Sequence, residues 1–351
     1  MAKIDDLGEK GFCAVVHKGK TQQKQSKDIA DFKPLIEQAS EAWVDYFVDD
    51  FEKEALKAAT ELGFSKSIVE NLLKKSRSGY EDFGTELGIR VPAIRVEGLD
   101  VRLEPILILV SRNVLATIHT GETKRFFRIR RYAETLLKKL PENKPPEDRM
   151  TILLLRIIDE NNARNFDHLH EIEEAGDALN RVLADPKTPR DKLGHSIYHM
   201  KHALIQYLGG LWATVDALNS LRYGDADLLS DDPKILDRIN GLVGEVHSQI
   251  GLAEHLSDVL ASGLEVLQSI YNNQLQVLNN KMALLVAYLT IIGTALLVPN
   301  TIATVAGNSM FEFTKGDVSW YIGLIVVSTF AATLVSWFAV KRMGLLPKSP
   351  E

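Results

Sequence analysis

The sequence predicts an α+β cytoplasmic domain followed by long stalk helices and two C-terminal transmembrane helices, associated as a homo-oligomer. Three observations predict it. Two uncharged runs, 282–306 and 320–340, stand close together late in the chain. A helical apolar stripe leads from Pro233 directly into the first run, with no proline before Pro299. Ahead of residue 145, short stretches with a two-residue apolar period are separated by turn residues.

The whole chain has 351 residues, a formal net charge of -6 and one cysteine, Cys13. A lone cysteine forms no intrachain disulfide, which suits a reducing compartment. Residues 1–10 are polar and acidic, with no apolar signal core and no Arg-rich transit pattern. The expected membrane anchor is therefore the late apolar region, and the polar body of the chain stays on the side of synthesis.

Taken in order, residues 11–17 (GFCAVVH) read as a strand and 18–33 as a polar loop. Residues 43–62 carry Trp43, Phe47, Phe51, Leu56 and Ala59 at helical spacing and read as a helix stopped by Gly63. A short helix follows at 68–75. The period then changes. Leu87, Ile89 and Val91 alternate with polar neighbours, 93–96 continue past Pro92, 101–110 form a second strand, and 114–119 a third. Turns at Glu97-Gly98 and Arg112-Asn113 join them. Residues 126–140 return to helix, and the breaker at 141–146 closes a domain assigned to 1–145.

Residues 146–281 read as long helices including a stalk: 150–183, then 189–223 stopped by Gly224, then one opened by Asp231-Asp232-Pro233, with an Asp cap and Pro in the first turn. Its stripe runs through Leu236, Ile239, Val243, Val246, Ile250, Leu256, Leu260, Leu264 and Tyr271. A helix from 234 to 306 is about 110 Å long. A rod of that length needs partners along it, which implies a bundle or an oligomer.

The run 282–306 makes a helix of about 37 Å, enough for a hydrocarbon core of about 30 Å with some tilt. The alternative is the buried hairpin of a soluble domain. Residues 307–319 form an external loop, 320–340 the second span, and 341–351 a cytoplasmic tail. Lys281 flanks the first span, and Lys341, Arg342 and Lys348 follow the second, whereas the loop holds Glu312, Lys315 and Asp317. The positive-inside rule places both termini in the cytoplasm, in a cell (inner or plasma) membrane.

One face of the first span carries the neutral polar residues. Thr290, Thr294, Leu297, Thr301, Thr304 and Asn308 fall within a narrow arc at 100° per residue, and Asn272, Gln276 and Asn279 extend it downward. Such hydroxyls either bond their own backbone or line a water-filled path where several copies meet. Mg²⁺ dehydrates reluctantly and is held through its waters by oxygen groups, so a hydrated divalent cation suits that lining. Leu297 supplies a dry constriction that can gate by dewetting. Pro299-Asn300 either only kinks the helix or widens the mouth of the path.

Leu289-Thr290-Ile291-Ile292-Gly293-Thr294, then Ile302-Ala303 and Gly307, resemble the first span of the CorA-type magnesium and divalent cation transporters. That family has two C-terminal spans and a Gly-Met-Asn signature at the outer end of the first. Ungapped, the signature falls on Gly307, Asn308 and Ser309, so a variant Gly-Asn-Ser stands in its place, and the family's proline falls one place early of Pro299. The family's asparagine near the cytoplasmic start of the span falls on Ala283. The resemblance implies a funnel-shaped homopentamer embedded in membrane lipid. Its implied work is Mg²⁺ uptake driven by the membrane potential and gated by cytoplasmic Mg²⁺. It also implies a selectivity loop at Gly307, Asn308 and Ser309. A zinc or cobalt transporter of the same family, and a non-conducting membrane-anchored sensor or scaffold, are the alternatives.

Glu312 and Asp317 either concentrate cations at the entrance or only solvate the loop. Asp225, Asp227, Asp231 and Asp232 cluster at a turn and are either solvated or a metal-sensing site. His195, His199 and His202 share one helical face, as a packed or surface face or as a Zn²⁺ pair. The basic run 124–131 (KRFFRIRR) reads as a helix face or a surface for lipid or nucleic acid, and no nucleic-acid partner is expected. No nucleotide loop, nucleophile elbow or Cys-based metal motif occurs, so neither an enzyme nor an organic cofactor is expected.

Overall fold

The computed structural model describes residues 9–123, 125–183, 190–224, 226–308 and 316–342. Contacts divide the chain into two compact units, Met1–Gly263 and Leu264–Glu351.

The first unit is built on a seven-stranded sheet of order β2-β1-β3-β7-β6-β5-β4. Its strands are β1 (Gly11–His17), β2 (Lys20–Ser26), β3 (Glu41–Val48), β4 (Gly79–Asp82), β5 (Glu86–Glu97), β6 (Asp100–Ser111) and β7 (Val114–Thr120). Only β3 and β7 pair in parallel, in the register Asp45↔Thr117. One face is covered by a helical turn, α1 (Lys33–Ile36), and by α2 (Phe51–Glu61) and α3 (Lys66–Lys74). Gly88 on β5 permits this packing, because a Cβ there would lie 2.4 Å from Leu72 Cδ1. The other face carries α4 (Arg125–Lys138), α5 (Pro146–Asn162), α6 (Asn165–Leu183) and α7 (Arg190–Tyr223). Gly210 brings α7 down onto the sheet; a Cβ there would meet Leu103 and Ile94 at 2.7 and 2.9 Å.

Four expectations are corrected here. Residues 43–48 form strand β3, not the start of a helix; the helix begins at Phe51, where the Asp50 side chain accepts from the Lys53 amide. β3 is buried on both faces, so its aromatic residues show no alternation and mimic a helical stripe. The polar segment after β1 is not a loop. It forms β2, an exposed edge strand rich in Lys and Gln that discourages edge-to-edge pairing. The single helix expected over 150–183 is two helices, α5 and α6, separated at Ala163-Arg164. The breaker at 141–146 is a turn within the first unit, because α4 packs on α5 and α5 on β7.

A buried charge network ties the central strands to α4. Asp45 is fully buried, and its Oδ2 accepts from Arg130 Nε at 2.6 Å. Its Oδ1 accepts from Thr117 Oγ1 at 2.6 Å and lies 3.1 Å from His119 Nε2. Arg130 also donates to the carbonyls of Glu9 and Lys10. Burial alone would raise the Asp45 carboxyl, but Arg130 and His119 outweigh it and hold the group well below the usual carboxylate range. Three arginines of the basic run are thus engaged within the chain: Arg130 on Asp45, Arg128 on Glu160, and Arg125 on Asn161 and the Ile94 carbonyl; Arg131 is exposed.

The helix α8 (Pro233–Ala306) starts in the first unit and ends in the second. Asp232 caps it, with Oδ1 accepting from the Lys234 amide at 2.9 Å. In the first unit its stripe is buried from Ile235 through Leu260. From Leu264 on, Val266, Ile270, Tyr271, Leu275 and Leu278 are exposed. The second unit pairs the rest of α8 with α9 (Val318–Arg342).

Replacing Arg130 by Met strands a buried carboxylate and is expected to destabilise the first unit by about 3–5 kcal/mol. Adding Asp45→Asn to that variant should recover part of the loss. Denaturant unfolding of the purified protein checks this, and an unchanged midpoint for Arg130→Met contradicts it.

Candidate permeation pathway

Both late helices are long and apolar enough to cross a membrane by length and composition. In each, only 6% of the most apolar window is buried inside the chain. A soluble core hairpin would be covered by its own domain, so this observation removes that alternative. Between the helices, Ala287 is buried, and Ser336 of α9 lies 3.5 Å from Thr294 Oγ1 of α8.

The uncharged oxygen-bearing residues fall as follows. Thr290, Leu297, Asn300, Thr301 and Thr304 are exposed, as are Asn272, Gln276 and Asn279 nearer the first unit. Thr294 is half-buried and turned toward Ser336, at the edge of the α9 contact. Gly307 and Asn308 are exposed just past the helix end. Ser309, Glu312 and Asp225 lie outside the described residues. Asp317 precedes α9, and its carbonyl accepts from the Tyr321 amide.

Each threonine hydroxyl on α8 donates to the carbonyl four residues back. Thr290 bonds Val286 and Thr294 bonds Thr290, both at 2.8 Å. Thr301 bonds Leu297 at 2.8 Å and Thr304 bonds Asn300 at 2.7 Å. The hydroxyl proton is therefore committed to the helix, and the oxygen lone pairs are what the side chain offers outward. A row of neutral acceptors suits the water shell of a cation, whose hydrogens point away from the ion. Local backbone bonding and a path-lining role are thus compatible. Pro299 lies inside a helix that continues to Ala306.

The acidic turn ahead of α8 behaves differently. Asp232 caps the helix and pairs with Lys144 Nζ, which also meets Asp148 Oδ2 at 3.2 Å. Asp148 in turn accepts from Ser230 Oγ at 2.5 Å. Asp227 and Asp231 are exposed. Among the described residues, no group of three His, Cys, Asp or Glu side chains is placed to hold a metal. The structure therefore does not bring Asp227, Asp231 and Asp232 together around an ion. His195 and His199 are exposed with ring centroids 4.3 Å apart, and His202 stacks on Tyr198. Nothing in the sequence distinguishes Ser336 from Ser328, Thr329 and Thr333, the other small hydroxyl residues of the second span.

The family model described as CorA-like Mg²⁺ transporter protein matches residues 39–342. The chain belongs to this family. Members of the CorA-like family are transporters, not enzymes, and membrane proteins with two C-terminal apolar helices. Among solved structures, the chain is similar to the complete CorA magnesium transporter from Methanocaldococcus jannaschii. The identity is 17%, the TM-score 0.70, and the match covers 96% of this chain and 98% of that one. The full-length CmaX protein is similar at 15% identity and a TM-score of 0.64, over 95% of this chain and 98% of that one. The soluble domain of the M. jannaschii CorA matches at 18% identity and a TM-score of 0.55, over 74% and 96%. At these identities the likeness speaks for the fold. Among curated protein sequences, none matches this chain.

The one cysteine allows a direct test of the acceptor row. Cys13 is fully buried, and burial pushes its thiol up to about 12, so it is silent to thiol reagents at neutral pH. Leu296 and Thr301 point about 140° apart on the helix. In protein reconstituted into membrane, Thr301→Cys should react with a charged thiosulfonate and Leu296→Cys should not. Equal reactivity at both positions contradicts the assigned face.

Proposed function

We propose that this CorA-like protein is a Mg²⁺ channel in the cell membrane, with both termini cytoplasmic, taking up Mg²⁺ down the membrane potential. The observation that carries the reading is the uncharged acceptor row on α8, on a chain of a divalent-cation transporter family. Two charges moving through 100 mV release about 4.6 kcal/mol, so uptake needs no ATP. Self-association completes the path. Beyond Gly263 most large apolar residues of α8 are exposed among the described residues, apart from the contact with α9 around Ala287 and Thr294, and copies of the same rod cover them. Five copies is the number that the family resemblance implies.

In this mechanism the loop at Gly307, Asn308 and Ser309 meets the hydrated ion first, with Glu312 and Asp317 raising the local cation concentration. Thr290, Thr294, Thr301 and Thr304 then hold the ion's water shell. Asn300 stands beside Thr301, and Asn272, Gln276 and Asn279 continue the polar lining toward the cytoplasm. Leu297 forms the dry constriction. Cytoplasmic Mg²⁺ closes the path. Asp232 is already neutralised by Lys144, so it contributes least to any sensing at the acidic turn.

The Asn308-Ser309 pair departs from the Met-Asn of the family signature, and this favours one second reading, a Zn²⁺ or Co²⁺ carrier. Both readings are separated by flux into liposomes with Mg²⁺, Zn²⁺ and Co²⁺ supplied singly. The Mg²⁺ reading expects Mg²⁺ flux that rises with an inside-negative potential. Asn308→Ala should then reduce it roughly tenfold, the effect of losing about 1.4 kcal/mol of polar contact. Flux of Zn²⁺ or Co²⁺ without Mg²⁺ overturns the assignment. Absence of any flux supports a sensor or scaffold.

A further inference from the structure

A polar pocket of about 200 Å³ opens on the helix-covered side of the sheet, between β5, the turn after β7 and the start of α6. Its floor holds an unusual set of groups. Arg125, half-buried at the first turn of α4, donates to Asn161 Oδ1 at 3.2 Å and to the Ile94 carbonyl at 2.5 Å. Both partners are neutral, and among the described residues no carboxylate forms an ion pair with the guanidinium, Glu160 acting on it only at a distance. Arg164 comes no closer to a carboxylate than 3.9 Å, at Asp167 Oδ2. Two lining side chains are more than nine-tenths buried and lack hydrogen-bond partners: Thr123 at Oγ1 and His168 at Nδ1, with 4% and 7% exposure. Buried polar atoms are nearly always paired, so two orphans beside an uncompensated arginine mark a place built for something else.

The sign of the field there follows from the same groups. Burial lowers His168 to about 4, and Arg125 and Arg164 push it the same way. Burial, followed by Arg164, brings Arg125 down to about 10. Four glutamates line the same pocket. Glu97 and Glu122 are exposed and share Arg95, Glu104 accepts from Thr120 Oγ1, and Glu171 is exposed. Arg164 is exposed and Glu104 half-buried, so the contrast rests on Arg125: its half-buried guanidinium acts through a poorer dielectric than the exposed Glu97, Glu122 and Glu171. The field is positive beside Arg125 and the two unpaired groups, although the rest of the lining is acidic.

We propose that this pocket binds a compact oxyanion, of the phosphate or carboxylate class, in the first unit. Arg125 and Arg164 supply charge-assisted donors, the Thr123 hydroxyl a neutral one, and His168 a ring N–H. Bound there, the anion ties α4 and α6 to the edge of β5. The inference goes beyond transport and does not rest on which cation is carried.

The test uses the full-length protein in detergent, with sodium phosphate and sodium acetate titrated singly at constant ionic strength and chloride as the balancing anion. A saturable rise in melting temperature is expected with one of them or both, and calorimetry gives the dissociation constant. Phosphate binding alone names a phosphoryl ligand, acetate alone a carboxylate, and binding of both the shared oxyanion chemistry. Arg164→Gln should weaken the binding about tenfold or more, as loss of a charge-assisted contact does. Thr123→Val keeps the shape, removes only the hydroxyl and should weaken binding in the same direction, so the proposal stays testable if one variant fails to fold. Glu171→Gln should not weaken it. No stabilisation beyond chloride by either oxyanion overturns the proposal, as does unchanged binding in folded Arg164→Gln and Thr123→Val.

Discussion

An apolar stripe on a helix must be covered, and among the described residues most of the cover on α8 ends after Leu260. Up to there the stripe is buried; from Leu264 its large apolar residues are mostly exposed, with Ala287 a buried exception. Everything distinctive about the second unit follows from that loss. In the proposed assembly lipid covers the outward faces of α8 and α9, and further copies of α8 cover what lipid does not. Without a hydrophobic driving force between helices in lipid, their association rests on close packing and on polar contacts such as that between Ser336 and Thr294.

The same helix solves a second constraint. A membrane segment that carries hydroxyls must satisfy them internally, and the four threonines do so through carbonyls one turn back. What remains facing outward is a set of acceptors without charge. In the proposed path such a lining is permissive to a hydrated cation and gives it no strongly bound resting place, the compromise that conduction requires. In the first unit the polar logic is reversed. Asp45 is buried deeply and matched closely by Arg130 and Thr117, which fixes α4 against the central strands. Near α6 the matching is incomplete, and the unpaired groups there define a pocket.

Much of this was legible in the residues. The two spans stand out because charge is absent over whole membrane thicknesses, β5 because Leu87, Ile89 and Val91 alternate with their neighbours, and β6 and β7 because short apolar runs are bounded by turn residues. The helical phase of the four threonines needs only the numbering, but the turn of Thr294 toward Ser336 does not show in it. Other features were hidden for physical reasons. Trp43 and Phe47 sit on a strand buried on both faces, where the period of two vanishes. The break between α5 and α6 at Ala163-Arg164 has neither Gly nor Pro to announce it. The Asp45 network joins residues 72 to 85 positions apart, which no local pattern reports. The acidic turn before α8 looked like an ion site, yet Asp232 is occupied by its own helix and by Lys144.

The central claim is that copies of α8 gather about an axis with the acceptor row facing it. Thr290 and Ile292 point about 160° apart on that helix. Spin labels at each position, in protein reconstituted into lipid nanodiscs, report distances between copies by pulsed electron resonance. The account predicts clearly shorter distances at Thr290→Cys than at Ile292→Cys. Distances that are shorter at Ile292→Cys, or no coupling between copies at either site, would contradict it.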